Sequence, residues 1–359
     1  MKLLFTIFFL INSILYAEIN YKVENSNIQI DDKYSYNYNR LRLNFDYIQD
    51  RYFAKVIADG VNYYSDSYTN SYEFYLLSNQ KADTPLSVQT SYKDYAQGEM
   101  YAKLYRAYAG YEDNKNLLSI GLQNITMGVG RFWTPTNLFN PKNIYAIEVD
   151  ETFGVMALSY VRHIDDTSDI NVVASIKEDE TLKYAARYKS FLDYGDAALS
   201  FIYSDKTKML GYELEGNLGD TGVEIRSEGA YIESKLLDKK VQFSQAILGA
   251  DYGFVNGINI TFETLYSSKE FNNLEMLSNL NSEILPNMTL SKFYAGGSIS
   301  YTFNIFLDGS LMYIDSFEGD EEAFSSAIFN YTLNDYNLFT FGFMHQEDKT
   351  FYLKYQFSF

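Results

Sequence analysis

Residues 351–359 read FYLKYQFSF. Phe351, Leu353, Tyr355, Phe357 and Phe359 fall on one side of an extended chain. Tyr352, Lys354, Gln356 and Ser358 fall on the other. Successive side chains of a strand point to opposite faces, so a period of two makes this a strand with one apolar and one mostly polar face.

The pattern recurs upstream. Phe293, Ala295, Gly297, Ile299, Tyr301 and Phe303 alternate with Tyr294, Gly296, Ser298, Ser300 and Thr302. Leu41, Leu43, Phe45 and Tyr47 alternate with Arg40, Arg42, Asn44 and Asp46, and Leu182, Tyr184, Ala186 and Tyr188 with Lys183, Ala185, Arg187 and Lys189. In water the apolar faces would cover one dry core. Here the opposite faces carry too many charges for that, and the strands run along nearly the whole chain. Apolar outside and polar inside is the transmembrane-barrel arrangement. Lipid offers no hydrogen bonds to the backbone, so the sheet must close on itself.

Composition agrees. The 359 residues include 35 Tyr and 27 Phe but 4 Pro, a strand-forming balance. There is no cysteine, hence no disulfide, thiolate nucleophile or cysteine metal site. With 47 acids against 29 bases the formal charge is −18, which speaks against a nucleic-acid partner. The opening MKLLFTIFFLINSILYAEIN pairs Lys2 with an apolar run too short to span a membrane and ends on Ala17. It reads as a signal peptide over 1–17, leaving 18–359 as the barrel.

Seventeen clear strand candidates and a weak one near 19–30 make an all-β barrel of about eighteen strands, with sixteen the alternative. Counting back from Phe359, the long connections near 62–98, 125–150 and 268–289 all fall outside the cell. The short ones fall on the periplasmic side. An even count with this asymmetry is the bacterial pattern.

The terminal strand, ending on an aromatic residue, resembles the C-terminal signal strand of bacterial outer-membrane β-barrels. That resemblance implies the bacterial outer membrane as the location. It makes Tyr355, Phe357 and Phe359 the signal read by the barrel-assembly machinery, and outer-membrane lipids and lipopolysaccharide the surroundings.

One segment breaks the alternation: GVGRFWTPTNLFNPKN, residues 128–143, with the chain's only tryptophan. It resembles a run in porin-like Gram-negative barrels, including relatives of the alginate-export type. Gly121, Gln123, Gly128, Gly130, Arg131, Trp133, Pro135, Thr136, Leu138, Phe139 and Pro141 match. Leu122, Met127 and Asn137 stand where that family has arginine, tryptophan and aspartate, so its substrate does not carry over. Physically, the glycines permit backbone conformations that a strand cannot hold. The prolines remove ladder donors and stiffen the chain, and Trp133, Leu138 and Phe139 are apolar anchors. Such a loop can dip into the lumen and constrict it, the preferred placement, or cap the rim.

Arg131, Trp133, Arg40, Arg42, Arg187, Lys189, Glu263 and Asp308 are the candidate pore-lining or constriction residues. Basic residues on one wall and acidic ones on the other would orient polar solutes. No cofactor or metal is expected. The acidic turn DSFEGDEEAF (315–324) lacks the spacing of a calcium loop, and the two histidines, His163 and His345, sit beside turns rather than beside a nucleophile. The expected function is a passive porin-like channel for small solutes, with no enzymatic chemistry. A substrate-specific transporter for a hydrophobic or polymeric compound, which would show a lateral gap or apolar lumen, and a structural or adhesive barrel are the alternatives.

Overall fold

The computed structural model describes residues 17–80, 82–149, 151–237, 239–317 and 322–359. The signal peptide expected over 1–17 lies outside them except for Ala17, and so do residues 318–321 of the acidic turn.

Eighteen strands form one closed antiparallel sheet: β1 (Ala17–Ile30), β2 (Tyr34–Gln49), β3 (Tyr52–Tyr64), β4 (Gly98–Glu112), β5 (Asn116–Gln123), β6 (Val155–His163), β7 (Ser168–Ile176), β8 (Leu182–Leu192), β9 (Gly195–Tyr203), β10 (Thr207–Asn217), β11 (Val223–Leu236), β12 (Lys239–Gly253), β13 (Ile258–Ser267), β14 (Phe293–Asn304), β15 (Leu307–Ser316), β16 (Phe324–Asn334), β17 (Asn337–His345) and β18 (Lys349–Ser358). Each pairs with its sequence neighbours, and β1 closes the ring on β18, with Asn25 opposite both Asn39 and Tyr355. The weakly patterned segment near 19–30 is therefore a full strand at the seam, and the alternative of sixteen strands is excluded.

The two faces separate as the alternation requires. Leu43, Leu199, Leu248, Phe262 and Ile299 point outward and are exposed, while Glu24, Arg40, Arg226, Glu228 and Glu263 point inward and are buried. A closed ladder with an apolar outer belt is a transmembrane β-barrel. All short two-residue connections but one lie on the end that carries the C-terminus. The three long ones, 65–97, 124–154 and 268–292, lie on the other.

Two expectations need correction. The alternation of Leu118, Ile120 and Leu122 predicts that all three face lipid, but Leu122 is buried at 1% exposure, and a Cβ on Gly154 would stand 2.8 Å from it. Gly121, at φ +128°, breaks the alternation just before the chain leaves the wall. The lumen face is also not uniformly polar. Val173, Ala185, Ile202, Met209, Ala230, Ile232 and Phe243 point inward and pack against Ile125, Met127, Leu138 and Phe139 of one long loop and Phe271, Ile284 and Met288 of another. Loops that fold into a barrel need a dry seat, and these residues supply it.

Connection 65–97 starts at the outer end and then runs along the free edge of β4, where the Leu104 amide donates to the Val88 carbonyl. Ser71 caps the helix Tyr72–Ser78 by accepting from the Phe74 amide. Phe74 and Tyr68 pack onto Tyr63. A short strand, Lys93–Tyr95, then pairs with the upper edge of β4, which β5 does not reach.

Candidate pore constriction

The chain leaves the wall at Gln123 and returns at Val155, crossing the lumen between. Its first half is shaped by its own sequence. Asn137 donates its amide to the Thr134 carbonyl at 3.0 Å, closing a turn with Pro135 at the second position, where a fixed φ favours it. The Asn137 side chain brackets Asn140, and Asn140 Oδ1 accepts from the Ile125 amide at 2.6 Å, tying the loop's entry to its middle.

Two wall carboxylates grip this half through its backbone. Glu228 of β11 accepts from the amides of Val129, Gly130 and Thr136 and from the Thr136 hydroxyl, at 2.7–3.1 Å. Glu263 of β13 accepts from the amides of Arg131, Phe132 and Trp133, each at 2.9 Å, and from Arg226 Nε. The glycines permit this approach. A Cβ on Gly128, at φ +93°, would lie 2.6 Å from Glu228, and one on Gly130 would collide with the Trp133 carbonyl. Phe132 meets the wall at Gly296, and Trp133 packs edge-on to Phe132 with its ring centre 6.0 Å from that of Tyr294. Asn287 of connection 268–292 donates to the Pro135 carbonyl, so a second loop holds the bend from above.

The loop's second half crosses to β2. Glu148 and Glu151 pair with Arg40, and Glu151 pairs with Arg42 at 2.7 Å. Arg40 is also bound to Glu24 and Arg42 to Asp59. Burial would push the Glu151 carboxyl up. The hydrogen bond from Arg42 and the positive charges of Arg40, Arg42 and Lys103 outweigh that and hold it down, to about 2. Tyr105 is sandwiched between the guanidinium groups of Arg42 and Arg106, at 4.2 and 4.0 Å. Arg106 bonds only to carbonyls and to the Thr152 hydroxyl among the described contacts.

The charges divide by wall. Near β1–β4 and β18, six cations (Lys22, Arg40, Arg42, Lys103, Arg106, Lys354) face four carboxylates (Glu24, Asp59, Glu148, Glu151), leaving two formal positive charges among the described residues. Across the lumen, Arg131 and Arg226 face Glu215, Glu224, Glu228, Asp251 and Glu263, leaving three formal negative ones among the described residues. Arg131 is the accessible member of this second group, its side chain 46% exposed.

Of the residues singled out in the sequence, Arg40, Arg42, Arg131, Trp133 and Glu263 come together at the loop. Arg187 pairs with Glu213 on the wall. Lys189 pairs with Asp196 near the periplasmic ends of β8 and β9, and Asp308 accepts from Asn330 beside the β14–β15 turn, so these two stand apart from the loop. Tyr355, Phe357 and Phe359 line the seam strand, and Phe359 exchanges two backbone hydrogen bonds with Tyr21. Glu148, Glu151, Asp59 and Arg106 were not singled out. Only Glu148 and Glu151 carried a signal, as carboxylates within the interrupted segment.

Fold and site together define a transmembrane β-barrel whose lumen is crossed by an inward-folded loop. No family model matches the sequence, and no curated protein does. Solved structures do resemble the fold. OccAB1 of Acinetobacter baumannii is similar at TM-score 0.63 and 8% identity, over 96% of each chain. OccD3 (OpdP) of Pseudomonas aeruginosa is similar at 0.61 and 9%, over 96% of this chain and 91% of that one. The outer membrane protein OpdK of Pseudomonas aeruginosa is similar at 0.57 and 9%, over 96% and 98%. At such identities the likeness is one of fold.

Proposed function

We propose that this chain is a porin-like channel of the bacterial outer membrane, through which small polar solutes diffuse passively past the loop 124–154. The observation that carries this reading is the loop itself. It is anchored to a negative wall by Glu228 and Glu263 and to a positive wall by Arg40 and Arg42. Fixed charges of opposite sign across a narrowed, low-dielectric passage orient dipolar solutes and select by charge. The channel does no covalent chemistry; solutes move down their gradients.

The resemblance of residues 121–141 to alginate-export relatives does not carry that substrate over. Leu122 is buried beside Gly154, Met127 lies in the apolar seat, and Asn137 is spent on bracketing Asn140. The apolar inner wall does not favour a hydrophobic cargo either, since Leu138, Phe139, Phe271 and Ile284 cover it.

The test is single-channel recording of the purified barrel in a planar bilayer, with the reversal potential in a salt gradient. Discrete steps are expected, and larger ones after deletion of 128–141. A heat-modifiable, fully assembled barrel that passes no current in either form would end the channel reading.

A further inference from the structure

The outer wall over β1–β4 carries a patch of asparagines. Elsewhere most outward positions carry Leu, Ile, Phe and Tyr, with Lys208, Glu233 and Gln242 at the outer ends of β10–β12. Here Asn25, Asn27, Asn37 and Asn39 alternate with the inward Glu24, Ser26 and Arg40, and so face out. They bond to one another: Asn25 donates to Asn39 (2.6 Å) and Asn37 (3.1 Å), Asn39 to Asn37 (2.6 Å), and Asn37 to Asn27 (3.0 Å). Asn62, opposite Asn39, accepts from the Tyr95 hydroxyl at 2.7 Å.

Beside this network lies a hollow of about 700 Å³. Gly60 and Ala102 form its floor, Val23, Leu41 and Met100 flank it, and Asn39, Asn62 and Lys93 rim it. A Cβ built on Gly60 would meet no atom within 4 Å. Lys93 pairs with the outward Met100, is exposed and makes no ion pair among the described residues.

Depth separates the two parts. Asn39 and Asn62 stand ten residues above the periplasmic strand ends at Gln49 and Tyr52. At ~3.4 Å per residue and a tilt of ~40° that is about 26 Å, the top of an apolar band about 25 Å tall. Val23, Leu41 and Gly60 lie below, in the acyl zone. Asn25 and Asn39 thus stand at the upper edge of the band and Asn27 and Asn37 above it, and their network leaves further donors and acceptors for hydroxyls.

Resting on the outer-membrane reading above, we infer that this hollow docks one lipopolysaccharide molecule. Its acyl chains lie against Val23, Leu41 and Gly60, and its phosphorylated sugar headgroup lies on Asn39, Asn62 and Lys93. A second barrel would present a convex wall to this concavity and leave its floor empty; a flexible acyl chain fills it.

The test is native mass spectrometry of the full barrel in mild detergent, titrated with rough-type lipopolysaccharide, comparing wild type with Gly60→Leu and Lys93→Glu. Gly60 is not at positive φ, so Leu fills the hollow without strain on the wall. Saturable binding is expected on wild type and about tenfold weaker binding on each variant. Equal binding to all three proteins overturns the site. So does equal competition by phosphatidylglycerol, or a loss confined to oligomer mass, which would make the face a contact between copies. Conductance and heat-modifiability are read on the same preparations. Loss of current with lipid binding intact counts against the channel alone, and unchanged current with equal lipid binding counts against the hollow alone.

Discussion

Glu228 Oε1 accepts hydrogen bonds of 2.7 Å from both the amide and the hydroxyl of Thr136. Its other oxygen takes the amides of Val129 and Gly130, so one wall carboxylate fixes both arms of the bend around Pro135. Glu228→Ala would strand three loop amides, at about 1–3 kcal/mol each where they stay buried. The barrel ladder is untouched. The expected outcome is normal assembly with larger or noisier single-channel current, and a smaller effect for Glu228→Gln, which keeps one acceptor oxygen. A quiet trace of wild-type amplitude from Glu228→Ala would show that the loop is held by its other contacts.

Arg131 projects among Glu215, Glu224 and Asp251, nearest to Glu224 at 2.7 Å. Arg131→Gln removes the more accessible of the two cations on that wall and leaves its carboxylates less compensated. The reversal potential in a salt gradient should move toward cation preference, more at low ionic strength, where screening is weak. An unchanged reversal potential would place the conducting path away from this wall.

Ile299 points into the lipid near the middle of β14, while Ser298 and Ser300 point inward. Arginine at Ile299 should destabilise the barrel by about 2–4 kcal/mol, because a guanidinium then sits in hydrocarbon. Ser298→Arg should be much milder. Reversible urea unfolding from lipid vesicles measures both, and equal losses would mean that the two faces are not what their exposure indicates.

The strands were legible because partition between lipid and lumen acts on each residue separately and leaves a period of two. The lumen seat was not. Ile202 lies between Phe201 and Tyr203, and Ile232 follows Tyr231. In such runs an inward apolar residue looks like its outward neighbours. The loop's first half announced itself through glycine and proline. Of its wall partners Glu263 was visible as an inward charge, but its grip on the loop was not, nor was that of Glu228, since Thr136 and Glu228 are 92 residues apart and no spacing rule links them. Arg40 and Arg42 were visible as inward charges, but that Glu148 and Glu151 neutralise much of them follows only from the loop's path.

Phe359 and Tyr21 exchange backbone hydrogen bonds of 2.8 and 2.9 Å, and their rings lie 5.4 Å apart. The last residue thus closes the seam between β1 and β18 as well as ending the strand expected to engage the assembly machinery. Deleting Phe359 should lower the heat-modifiable fraction in outer-membrane preparations. Refolding the deleted chain in detergent separates the two roles. Normal refolding with poor assembly in cells would point to the machinery, and poor performance in both to the seam. Full assembly in cells would remove Phe359 from either role.

Glu151 makes the loop's hold on β2 dependent on acid. Its carboxyl is held down to about 2 by Arg42 and its neighbours, against the opposing effect of burial. An unfolded glutamate titrates near about 4.3. A depressed folded value means that the contribution is fully present above the unfolded value and is lost as pH falls through the folded one. The Arg40 and Arg42 contacts should therefore persist unchanged from pH 7 to about 5, weaken below about 4, and be lost near 2. Glu151→Gln should show, already at neutral pH, the larger conductance that wild type reaches only in that acid window. The measurement is single-channel conductance against pH for both proteins. A wild-type transition at pH 5–6, absent from Glu151→Gln, would show that Glu151 is not held low by its arginines; the same transition in both would assign it to another group.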